Sequence, residues 1–224
     1  MNGDETIRPL DSVLPTGRSN LTITLRSNGA AHTIRLSQSG SLFTIPSGVT
    51  LVLENVTLMG RSPHSSSPVM SGNSAPLVAV QSGGTLVINS GANVTANRHM
   101  AAGGGVNVQI GGLLIMNGGA ITHNYSNWGG GVAVFGTFEK HGGTISSNSA
   151  IWSGGGVQNN GLFRMYGGTI SGNRVTNPLG IGSGVRNMAS FAWHGGTING
   201  STATESLSTL SSSGFRCRRH GHSA

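Results

Sequence analysis

The sequence predicts an all-β fold, a single-stranded right-handed parallel β-helix of about seven coils. Three observations carry this reading. A Gly-Gly-(Ala/Thr)-Ile phrase recurs at residues 118, 142, 167 and 195. A large apolar residue recurs with it at Leu114, Phe138, Phe163 and Phe191, giving coils of 24–28 residues. The composition is glycine-rich, with 38 Gly in 224 residues and only 8% charged side chains, which disfavours both helix and a charged disordered tract.

The first element, residues 1–20, is a polar N-terminal segment. It has neither the apolar stretch of a signal peptide nor the repeat rhythm. The repeat domain is expected over residues 21–200. Its early part, LTITLRS, HTIRLS and FTIPSGVTLVLENVTLMG, alternates apolar and polar residues as half-buried strands do, without the glycines. GRSPHSSSPVMSGNSAP, residues 60–76, is the longest interruption and reads as a mobile excursion between coils. A looser unit follows, with Val78 and Val80, then Leu86 and Ile88, then Val94 and Asn97.

The later units begin at Gly103, Gly129, Gly154 and Gly182, and each holds three short alternating segments separated by Gly or Asn turns. One such unit is too thin to close a core. Stacked units bury a continuous column, each strand pairing with its counterpart about 4.8 Å away, so that the coils make a rod of roughly 35 Å. The double glycines supply the positive φ of a tight corner. Ile and Phe are inward plugs. Asn124, Asn148 and Asn173, three residues beyond each Ile, are expected to adopt the left-handed conformation and pass hydrogen bonds from coil to coil. Residues 201–224 are Ser/Thr-rich and basic, and read as a disordered tail.

The GGAI at 118–121, the GGTI copies and the GGGV openings resemble the repeats of bacterial surface proteins. They are similar to the GGA(I/L/V) repeats of chlamydial polymorphic outer-membrane proteins, and more closely to the GGGV, GTFxMxGGTI, SGN repeats of spirochaete and gut-bacterial surface proteins. The resemblance covers roughly residues 42–200; IxxN stands here where the polymorphic family has FxxN, and no membrane barrel follows. It implies a pectin-lyase-like β-helix that works as an adhesin-like passenger, secreted or held at the cell surface. The implied partner is a host or cell-surface glycan or protein.

Residue chemistry points away from catalysis. β-Helix lyases and hydrolases need gathered carboxylates. Between residues 21 and 200 there are only Glu54 and Glu139, about three coils apart, or at least ~14 Å along the axis. No catalytic residue, cofactor or metal site is therefore expected, and a polysaccharide-degrading relative or relic of pectate-lyase type is the alternative. His141 and His194 lie two coils apart with Tyr166 between them, too far to share a metal ion. The net charge of +7 includes a basic tail, and the eight basic residues of 21–200 are scattered singly, unlike a phosphate-binding stripe, so no nucleic-acid partner is expected. Nor is insertion into a membrane, for no apolar run is long enough to span one; the chain is expected to be a monomer.

Two features suggest a binding surface. Trp128 and Trp152 occupy the same loop of adjacent coils, and their rings are candidates for a small aromatic platform or for a cover over the core end. Thr144, Thr169 and Thr197 form an outward row able to hold ordered water or glycan. Lys140 is the anomaly: it falls in register with Ile88, Met116, Met165 and Trp193, all read as inward, so its stem is expected to snorkel out at a strand end.

Overall fold

A computed structural model describes residues 3–9, 20–61 and 73–199, and the backbone of 202–204. Every strand pairing within these residues is parallel, and the strands sort into four sheets that run the length of a β-solenoid. The first sheet contains Leu21–Arg26, Val49–Glu54, Thr85–Ile88, Leu113–Met116, Thr137–Lys140, Leu162–Met165 and Ser190–Trp193. Seven strands in one sheet define six full turns, one fewer than the repeat count predicts. The second sheet runs through Val56–Met59, Ala120–Thr122, Thr144–Ser146 and Thr169–Ser171, the third through Arg98–Ala102, Tyr125–Trp128, Ser149–Ser153 and Arg174–Val175. The fourth holds Phe43–Ile45, Val78–Val80, Val106–Val108, Val132–Val134, Val157–Asn159 and Val185–Asn187.

A coil of three segments was expected; the later turns have four. The extra one is the third sheet, whose strands bury Ser126 and Ala150 rather than large apolar residues, so alternation does not reveal it. Two strands lie outside 21–200: Glu5–Ile7 joins the second sheet against Ile34–Leu36, and Thr202–Thr204 joins the fourth against Val185–Asn187. Most of the 60–76 excursion and the rest of the tail fall outside the described residues.

The core is the stack of inward plugs that the repeat implies. Phe138, Phe163 and Phe191 lie face to face, with centroids 4.8 Å apart at each step and interplanar angles of 5° and 13°. Ile121, Ile145 and Ile170 are fully buried one above another in the second sheet. Each double glycine turns the chain from the first sheet to the second. Gly143 has φ of 72°, and a Cβ on Gly142 would lie 2.4 Å from the Asn117 carbonyl of the preceding turn. Only glycine fits both places.

The asparagine ladder is present and longer than predicted. Asn73, Asn97, Asn124, Asn148 and Asn173 are all buried, and each carboxamide oxygen from Asn97 on accepts from the Asn one turn before it. The left-handed conformation, however, belongs to the residue ahead of each Asn: Ala96, His123, Ser147 and Gly172 have φ of 57°, 57°, 56° and 62°. That twist aims the following carboxamide inward, where it can bond carbonyls as well as its neighbours.

Lys140 corrects the expectation of snorkelling. Its side chain is fully buried, and Nζ donates to the carbonyl oxygens of Gly142 at 2.6 Å, Gly143 at 2.7 Å and Gly167 at 3.3 Å. Glu139 is no partner to it; its Oε1 accepts from Arg164 at 3.0 Å on the outer face. Burial pushes the ammonium down from its ordinary 10.5 to about 8. Between those values the unfolded chain binds the proton and the folded chain does not, so stability rises with pH across that window and the penalty is complete below it. At about 1.4 kcal/mol per tenfold change in proton affinity the penalty comes to about 3 kcal/mol. Met stands directly above and below in the same column, at Met116 and Met165. Lys140→Met is therefore expected to raise stability at pH 7 by roughly 1–2 kcal/mol after the lost carbonyl bonds are counted, with the advantage shrinking steadily above pH 8. Urea titrations of both proteins from pH 6 to 10.5 check this; a variant less stable at pH 7 would mean that the three carbonyl bonds outweigh desolvation.

Candidate binding groove

The fourth sheet carries an outward row that is partly withdrawn from solvent. The middle residue of each strand points away from the core, and Ala79, Asn107, Ala133, Gln158 and Arg186 stand in register along the axis. Yet Ala133 is 0% and Gln158 3% exposed. Side walls account for this. One wall is the end of the third sheet, where Ala102, Trp128, Ser153 and Ile181 pair in succession. The other is the residue that follows each fourth-sheet strand, among them Phe135, Asn160 and Met188. Between the walls lies a cleft of about 320 Å³.

Its chemistry changes along the axis. Its apolar part is lined by Trp128 and Phe135, which flank the strand of the fully buried Ala133. One turn further it is polar: Ser153 Oγ donates to Gln158 Oε1 at 2.7 Å, and Gln158 Nε2 donates to Asn160 Oδ1 at 2.8 Å. Beyond that come Arg186 and the thioether of Met188. One turn before Ala133, Asn107 Nδ2 donates to the Ala102 carbonyl at 3.0 Å, while its buried Oδ1 has no hydrogen-bond partner.

The two tryptophans are out of backbone register with each other. Ser126 pairs with Ala150, but Trp128 pairs with Ser153, so Ile151 and Trp152 together oppose Asn127 in a β-bulge. Trp128 rims the groove; Trp152 is exposed outside it. Sequence reasoning missed Phe135, although a signal for it was present: in VAVF the parity that sends Val132 and Val134 inward sends Ala133 and Phe135 out.

Elsewhere the surface follows the predicted register. His141, Tyr166 and His194 stack on the corner after the first sheet, with centroid spacings of 4.7 and 4.8 Å and interplanar angles of 3° and 8°. The two imidazoles are thus about 9.5 Å apart, as 4.7 plus 4.8, and among the described residues no group of three or more His, Cys, Asp or Glu could hold a metal ion. Thr144, Thr169 and Thr197 are consecutive in the second sheet. Glu54 and Glu139 both lie on the outer face of the first sheet, away from the groove, each beside an arginine: Arg26 at 3.5 Å and Arg164 at 3.0 Å. Compared with protein-family models, curated proteins and solved structures, the chain finds no significant match.

Proposed function

We propose that this β-solenoid is a non-enzymatic binding module of the adhesin-like surface or passenger type, and that its fourth-sheet groove takes a glycan chain lying along the axis. The observation that carries the reading is a cleft whose lining holds two aromatic rings, Trp128 and Phe135, together with the hydrogen-bonded carboxamides of Gln158 and Asn160. A pyranose has an apolar face that suits an aromatic wall and a rim of hydroxyls that suits carboxamides. The next sugar would meet the next turn, because successive turns are spaced ~4.8 Å apart.

Binding without cleavage is the reading that the carboxylates favour. Glu54 and Glu139 are engaged by arginines three turns apart on another face, whereas hydrolysis needs a carboxyl pair within about 5–9.5 Å across one glycosidic bond. The test is an array of plant, bacterial and host polysaccharides scored for retention and for cleavage. Trp128→Ala and Phe135→Ala are each expected to weaken retention about tenfold, the scale of one good aromatic contact. Retention unchanged in both variants would remove the groove from the reading, and product release, with or without calcium, would overturn its non-enzymatic part.

A further inference from the structure

The third sheet and the turn that follows its last strand expose a large apolar side chain in each of four successive turns: Met100 (47% exposed), Trp128 (43%), Trp152 (47%) and Leu179 (90%). Leu179 is not a frayed tip. Its N–H donates to Asn177 Oδ1 at 2.8 Å, and the excursion that carries it stacks on the preceding turn through Asn177 N to Ile151 O at 3.0 Å and Ile181 N to Trp152 O at 3.1 Å. The backbone thus holds Pro178 and Leu179 out beside Trp152, as an ordered apolar projection.

Among the described residues, charge on this side of the molecule has one sign. The column that opens the third sheet runs Arg98, Tyr125, Ser149, Arg174, with the Arg98 guanidinium 4.9 Å from the Tyr125 ring centroid, and Arg186 stands on the adjoining fourth sheet. Among the described residues the carboxylates are Asp4, Glu5, Glu54 and Glu139, all on strands of the first and second sheets or next to them. A row of Trp, Met and Leu flanked by arginines, with no acid beside it among the described residues, is complementary to a surface that is apolar beneath and anionic on top.

We infer that this ridge is a peripheral docking surface for an anionic lipid bilayer, with Trp152 and Leu179 entering the headgroup boundary and Arg98 and Arg174 lying against lipid phosphates. No part of the chain needs to span; no helix of the described residues is long and apolar enough to do so. The inference does not depend on the glycan reading, because Trp152 and Leu179 do not line the groove.

The experiment is co-sedimentation of the full chain with vesicles of phosphatidylcholine alone and of phosphatidylcholine mixed with phosphatidylserine. Binding is expected on the mixed vesicles and should fall as salt rises. The double variant Trp152→Ala, Leu179→Ser should weaken the partition about tenfold or more, with an unchanged circular dichroism spectrum and unchanged polysaccharide retention. No binding to the mixed vesicles, equal binding to neutral ones, or full binding by the double variant would each overturn it. A self-association that the double variant abolishes, without vesicle binding, would assign the ridge to a second copy instead.

Discussion

A chain lacking Gly129 to Ser153 is expected to fold, one turn shorter and still cooperative, whereas a chain lacking only Gly129 to Lys140 is expected not to fold. The first deletion joins Trp128 to Gly154, and Trp128 already pairs with Ser153, the residue that precedes Gly154 one turn on. Each column then closes over the gap: Leu114 meets Phe163, Met116 meets Met165, Ile121 meets Ile170 and Asn124 meets Asn173. The half deletion instead brings His141 to the position of Gly129, so that second-sheet residues would have to fill the fourth sheet and every plug would change face. Circular dichroism and urea denaturation of the two chains decide the matter. Equal loss of structure in both would show that the turns are not interchangeable.

Asn148→Ala should cost about 3–5 kcal/mol, since it strips partners from several buried groups at once. Asn148 Oδ1 accepts from the Asn124 main-chain N–H at 2.9 Å and from Asn124 Nδ2 at 3.1 Å. Its own Nδ2 donates to Ile121 O at 2.8 Å and to Asn173 Oδ1 at 3.1 Å. Alanine keeps only the main-chain bonds, from its nitrogen to Asn173 Oδ1 at 3.0 Å and from Arg174 N–H to its carbonyl at 2.9 Å. Thr144→Ala, on the outward row of the adjacent strand, is the control and should stay within about 0.5 kcal/mol. A cost for Asn148→Ala below about 1 kcal/mol would mean that water replaces the carboxamide and that the ladder is decoration.

Those two expectations rest on features that were legible in the sequence, and the reason is steric. A corner that tolerates no Cβ at Gly142 and needs positive φ at Gly143 can be written only one way, so it recurs in the letters. Phe138 and Phe163 were legible because a stacked column repeats its occupant. The third sheet was not. Its inward positions hold His99, Ser126 and Ala150, a polar and small column that gives no hydrophobic period. The groove was hidden for a related reason: Ala133 and Gln158 carry the outward parity of solvated residues, yet both are buried. The bulge at Trp152 separated two tryptophans that a uniform repeat would have aligned.

The parallel ladders also decide how the molecule bears load. Bonds such as Gly129 N to Ser153 O and Val132 N to Gly156 O join one turn to the next, so a force applied along the axis passes through the turns in series. The weakest turn yields while the rest hold. A freed unit of 25 residues, such as Gly129 to Ser153, supplies up to ~80–90 Å of extended chain in place of the ~4.8 Å it occupied in the stack. Under tension the solenoid would therefore lengthen in steps, each one dissipating work while the turns that remain keep their surface.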